Sequence, residues 1–200
     1  MSLPHLTTRA VVGVASVLLA AGGTRVATAT SGFPGAPHRW LGRLARRLRA
    51  DLRAGGRTMI GWIVFGSVAV TVTLLHFFGV RTGTYMEIWW WDLLTHSLGG
   101  IGVAGLAYLA HRDRAAAAAS VWWVVPSVFA IGSGFEVYEF LFKSFWHDLT
   151  LRAYAVDTAV DLVVNTTGAA VVAITVSVFG SASDDERLAG STDPGEPADD

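Results

Sequence analysis

Residues 58 to 79 read TMIGWIVFGSVAVTVTLLHFFG, without an Asp, Glu, Lys or Arg. Its 22 residues exceed the roughly 20 that carry an α-helix across the hydrocarbon of a bilayer. In lipid every backbone N–H and C=O must be satisfied within the segment, so the stretch reads as a transmembrane helix. Working outward, residues 89 to 110, 117 to 142 and 155 to 179 reach the same length. Residues 10 to 28 are apolar for about 13 positions and then meet Thr24 and Arg25. They read as a short span, with a signal-peptide core as the alternative. With 52% of 200 residues hydrophobic and 16% charged, the expected fold class is all-α: a polytopic transmembrane helix bundle of four core spans plus a short N-terminal span.

The chain divides accordingly into an N-terminal hydrophobic segment (1–30), an Arg-rich interfacial helix (31–57), the four-helix core (58–179) and an acidic tail (180–200) of a composition that predicts disorder. Charge is near balance overall but lopsided along the chain. Residues 38 to 57 hold seven Arg and one Asp, whereas residues 184 to 200 hold seven acids and one Arg. By the positive-inside rule the Arg-rich segment is cytoplasmic, and HRDR at residues 111 to 114 falls on the same side two crossings later. The tail then also lies inside, and the expected location is the plasma membrane. Leu41, Leu44, Leu48 and Leu52 repeat at helical spacing among the arginines, so Arg43, Arg46, Arg47 and Arg53 are candidates for lipid headgroups. The ordinary alternative is a topology signal with no ligand. Membrane lipids are the expected partners; nucleic acid does not fit beside a membrane anchor, and a homo-oligomer is left open. Fourteen of fifteen basic residues are Arg, an archaeal-like composition of the kind a GC-rich, halophile genome produces.

Ionisable residues inside the spans are costly and point to function. They are His76; Asp92 and His96 within WWWDLLTHSLGG; Glu136 and Glu139; and Asp157 and Asp161, with Asn165 one turn on. Spacings of three and four place each set on one helical face. At about 1.5 Å per residue, His76 and Glu139 lie roughly 5 Å from the outer end, His96, Glu136 and Asp161 roughly 10 Å, and Asn165 roughly 15 Å. Because the spans alternate in direction, all fall in the same outer half. Several also have a plain structural reading: Asp92 and Asp157 at helix N-termini, Glu139 paired with Lys143, His76 at a helix C-terminus. His96, Glu136 and Asp161 lie too deep for capping. Glycines follow His96 and precede Glu136, which lets the helices approach closely.

With no cysteine, any metal would be held by carboxylates and imidazoles. The expected ligands are His96, Glu136, Glu139 and Asp161, supported by Asp92, Asp157, Asn165 and His76, for a divalent ion such as Mg, Mn or Zn acting on a lipid-linked phosphate or ester. The catalytic residues themselves stay unassigned. Two alternatives stand beside this: a proton or cation transporter, and an accessory protein whose polar network fixes helix register.

The order D-x3-H-x2-G-G (Asp92 to Gly100), G-x-E-x2-E (Gly134 to Glu139) and D-T-x2-D-x3-N-x2-G-A (Asp157 to Ala169) resembles the YjdF-like small integral membrane proteins. It is more distantly similar to VanZ-like membrane proteins. The resemblance covers residues 58 to 179 and carries over Asp92, His96, Glu136, Glu139, Asp157, Asp161 and Asn165. It implies a membrane protein of unknown activity, with only a loose link to glycopeptide resistance.

Overall fold

The computed structural model describes residues 3–117, 120–142 and 150–190, and every regular element among them is helical. In chain order these are α1 (Leu3–Ala29), a 3-10 turn (Pro37–Arg39), α2 (Trp40–Ala54), α3 (Arg57–Thr82), the short α4 (Thr84–Glu87), α5 (Trp91–Ala117), α6 (Val124–Phe142) and α7 (Leu151–Gly190). Five of them are long and apolar enough to cross a membrane: Arg9–Ala29, Thr58–Thr82, Trp91–Asp113, Val124–Phe142 and Leu151–Phe179. The protein is thus an all-α, multi-pass membrane protein.

α5 is the central helix, with 50% of its span buried against 6% of the α3 span. It packs against α7, α6, α3 and α2, while α1 leans on α6. Lipid provides no hydrophobic drive for helix association, so contact rests on small residues that let backbones meet. Ala104, Ala169 and Ala173 are among these, fully buried with Val124, Val128 and Trp123 in one apolar cluster. α3 ends at Gly83, whose φ of 77° is the left-handed conformation that closes helices. The chain then folds back through α4 and places Tyr85 beside the start of α5.

Three boundaries differ from the sequence reading, the smallest being the start of the last span, at Leu151 rather than residue 155. The span expected from residue 117 begins at Val124, because the alanine run is strong helix former and prolongs α5 to Ala117. α6 starts afresh after Trp122 and Trp123, with Pro126 in its first turn, where no N–H is missed. α7 continues to Gly190, so residues 180–190 are helical where disorder was expected. No proline interrupts α7 before that point. Residues 191–200, and the loop holding Lys143, Trp146, His147 and Asp148, lie outside the described residues.

α2 does not lie free beside the bundle. Asp51, 6% exposed, accepts hydrogen bonds from Arg112 Nη1 and Nη2 at 2.6 and 2.7 Å and from Trp62 Nε1 at 2.7 Å. The Arg112 hydrogen bonds, joined by that of Trp62 and opposed by desolvation, hold the Asp51 carboxyl at a pKa of about 2. Arg47 donates to Asp113 at 2.7 Å. One acid among seven arginines therefore fastens α2 to α3 and α5. Leu44 and Leu48 are half-buried, whereas Leu41 and Leu52 stay exposed.

Candidate functional site

The end of the bundle opposite the Asp51–Arg112 pair gathers the polar residues. On α5, His96 lies one turn beyond Asp92, and its Nε2 is 3.3 Å from Asp92 Oδ1. The same nitrogen is 3.8 Å from Asp161 Oδ2 on α7. His96 and Asp161 are buried at 8% and 2% exposure, and Asp92 is half-buried. One ligand atom from each of the three lies within 4.8 Å of the others.

Backbone approach makes this possible. A Cβ on Gly100 would collide with the carbonyl oxygen of Asn165, and one on Gly168 would stand 2.6 Å from the Ser97 carbonyl oxygen. Only residues without a side chain fit at this crossing, which brings His96 against Asp161 and Asn165.

The other face of the imidazole is held by Asn165, whose Nδ2 lies 2.9 Å from His96 Nδ1. An amide nitrogen can only donate, so Nδ1 accepts and the ring proton sits on Nε2, between the two carboxylates. If the amide turns over, Oδ1 accepts from Nδ1–H instead, and the Nε2 lone pair faces the carboxylates. The tautomer that can bind a metal is thus half an amide turn away.

Glu136 on α6 is 2% exposed and accepts a hydrogen bond from Thr158 at 2.9 Å through Oε2. Its Oε1 is buried without a hydrogen-bond partner among the described residues. It lies within electrostatic reach of His96 and Asp161. Glu139 is half-buried one turn on and stands outside the close trio. Asp157, also half-buried, is within electrostatic reach of Asp92 and His96. His76 sits across the site, its Nδ1 2.9 Å from the Tyr85 hydroxyl, which donates to Thr95 at 3.3 Å. Burial raises the Tyr85 phenol to about 12, so it remains a neutral donor.

The structure therefore draws together Asp92, His96 and Asp161, with Asn165 on the far ring nitrogen. The sequence reading had placed Asp92 in a supporting role and Glu136 and Glu139 among the ligands. It had not singled out Thr158, although Thr158, Asp161 and Asn165 follow the three-and-four spacing of one face. Of the four arginines assigned to headgroups, Arg47 is engaged with Asp113 and Asp51. Arg43 is half-buried, and Arg46 and Arg53 are exposed.

Helices long enough to span, small residues at their crossing and a buried histidine–carboxylate trio near one end define a class: polytopic helical membrane proteins with an intramembrane polar site. The chain belongs to the family described as "Predicted membrane protein (DUF2238)", whose model matches residues 57–182. That agrees with the YjdF-like motif order and includes every residue of the trio, while α1 and α2 fall outside it. No curated protein and no solved structure matches the chain.

Proposed function

We propose that Asp92, His96 and Asp161, with Glu136 beside them, form a divalent-cation site that acts on a lipid-linked phosphate or ester in the outer leaflet. The observation that carries the reading is the spacing of the trio. Ligands about 2.1 Å from a tetrahedral ion stand about 3.4 Å apart, and His96 Nε2 lies 3.3 and 3.8 Å from the two carboxylates. The buried Oε1 of Glu136, without a hydrogen-bond partner among the described residues, supports it further, since such an oxygen is costly unless a proton or a cation joins it. The set of carboxylates and one imidazole suits Mg, Mn or Zn. A bound ion would supply Lewis acidity toward the phosphate or ester. The chain's own residues orient it: Asn165 fixes the imidazole, and Thr158 fixes the Glu136 carboxylate.

The outer-leaflet assignment follows from charge. The Arg-rich α2 is tied to Arg112, so both basic segments share one end of the bundle, and the positive-inside rule makes that end cytoplasmic. The trio then faces the opposite leaflet of the plasma membrane, and Arg43, Arg46 and Arg53 stand where anionic headgroups are found.

A second reading rests on the Asn165 amide as it stands. With Nε2–H between two carboxylates, the trio is a proton site, the arrangement a proton or cation transporter would use. Metal content of the detergent-purified protein separates the two. The expected result is about one divalent ion per chain in the wild type and none in folded Asp161→Asn or in the His96→Ala, Glu136→Gln double variant. No bound ion after Mg, Mn and Zn have each been offered would overturn the metal reading.

A further inference from the structure

A cavity of about 460 Å³ opens off His96 and Asn165, within the range of small-molecule sites. Its lining is graded. At the site end stand His76, Thr95, His96 and Asn165; beside and below them the walls are Val72, Val103, Val128 and Ile131, with Thr73, whose hydroxyl donates to its own helix at Ala69 O. From Thr95 to Val103 along α5 the depth is about 12 Å. Polar groups therefore cap one end of a slot that runs toward mid-membrane and is apolar below.

The slot opens sideways. α3 and α6 both flank α5, yet they barely touch each other and meet through the rings of His76 and Phe135, 5.7 Å apart. At its mouth Phe77, Ile131 and Tyr138 are 65%, 45% and 39% exposed, and all three lie inside spans. The mouth thus faces hydrocarbon rather than water. An apolar slot left empty would forfeit dispersion contacts along its walls, and a lipid chain is the molecule at hand to fill it. Among the described residues no Lys or Arg lines the slot, so an anionic head at its polar end would meet the imidazoles of His76 and His96 and an ion on the trio.

We infer that the cleft between α3 and α6 admits, laterally from the bilayer, the hydrocarbon chain of the amphiphile whose phosphate or ester reaches the trio. The substrate is then a membrane lipid and not a water-soluble phosphate. This rests on the metal reading above for the head and on the cleft alone for the chain.

The test uses the full chain in lipid nanodiscs with two probes, a long-chain alkyl phosphate carrying a mid-chain diazirine and the matching alcohol. After photolysis, labelled peptides are mapped by mass spectrometry, with Mn²⁺ or with EDTA. The phosphate probe should label the cleft walls around Val72, Val128 and Ile131 about tenfold above the outward surface of α7 at Val171 and Ile174. EDTA should remove most of that excess. Ile131→Trp should fill the slot and lower cleft labelling about tenfold while leaving bound metal unchanged. Thr73→Trp fills it from the opposite wall should the first variant not fold. Labelling spread evenly around the bundle, or indifferent to both folded variants, would overturn the inference even if metal is bound. Cleft labelling equal for both probes and insensitive to EDTA, with no bound ion, would sink the metal reading and leave the chain site standing. Displacement of the phosphate probe by millimolar inorganic phosphate alone would point to a soluble ligand and overturn the lipid assignment.

Discussion

Substituting Asn165 by Leu and by Asp separates the two tautomers of His96 and so tests what the trio is for. Both residues are 8% exposed, so in Asn165→Leu the ring Nδ1 loses its protein partner. A buried group left unpaired costs about 1–3 kcal/mol in soluble proteins, and side-chain hydrogen bonds between membrane helices average nearer 0.6 kcal/mol. The stability loss should therefore be modest. Metal affinity should fall further, by about 10- to 100-fold, the usual effect of removing the partner that orients a ligating imidazole. Asn165→Asp has the opposite consequence. Its carboxylate can only accept, which keeps the proton on Nδ1 and turns the Nε2 lone pair toward the trio. The amide lies beside Gly99 and Gly132, neither of which presents a side chain to the replacement. Affinity measured by competition with a chromophoric chelator should drop in the Leu variant and equal or exceed wild type in the Asp variant. The Asp variant, with one more acid near Asp161, should also gain more in unfolding temperature when metal is added. Equal affinities in the two variants would refute the orienting role of Asn165, and with it the tautomer assignment.

Other tests bear on packing, anchoring and sidedness. Gly100→Ala places a methyl group against the Asn165 backbone, whose Cα is 3.0 Å from it, and should cost about 3 kcal/mol, the upper end for overpacking; Gly134→Ala, which meets nothing within 4 Å, should leave the denaturant midpoint unchanged or slightly raised. Asp51→Asn should destabilise the wild type by about 1–3 kcal/mol. Because the folded pKa of Asp51 is depressed from 3.8 to about 2, that difference should hold between pH 5 and 8 and close as pH falls from about 4 to 2; a difference that fades near neutrality would contradict the ion pair. Reporter fusions in the 30–39 loop and after residue 190 should both read cytoplasmic, and one in the 83–90 turn external. The opposite pattern would move the site to the inner leaflet.

The spans were legible because lipid imposes one rule on the backbone, and a long uncharged run has one way to obey it. Boundaries were less so: an alanine run is apolar enough to open a span and helical enough to extend the one before, and here it extended α5. The pairing of His96 with Asp161 followed from shared depth and shared face. The role of Asp92 did not: its spacing put it on the face of His96, but its place in the first turn favoured a helix N-terminus reading, whereas the lean of helical side chains toward the N-terminus brings the His96 ring back onto it. Depth arithmetic along each span carries no such direction. The Asp51 anchor was hidden for another reason. Its partners Trp62 and Arg112 stand 11 and 61 residues away, and the lone acid in a run of arginines was its only trace.

What lies below the trio bears on the choice between a surface enzyme and a conduit. On α5, two turns past His96, the wall becomes Ala104 and Ala107; on α7, one turn past Asn165, it becomes Ala169, then Val172 and Ala173; α6 contributes Val128 and Val124. These side chains are buried against one another, filling the centre of the bundle with apolar groups beside the buried hydroxyl of Ser127, which donates to its own helix at Trp123 O. A charge passing from the trio to the Asp51–Arg112 end would cross this layer at a cost of several kcal/mol, even by the lenient insertion scale. Conduction would require the helices to part at Gly100 and Gly168, where backbones are in direct contact. Opening them would also separate His96 from Asp161, destroying the site that loads the charge. A site coupled so tightly to a sealed crossing suits chemistry on a ligand that enters and leaves by the same leaflet. Purified protein in liposomes should accordingly pass neither protons nor Mn²⁺ faster than empty vesicles, and a flux abolished by Asp161→Asn would overturn that view.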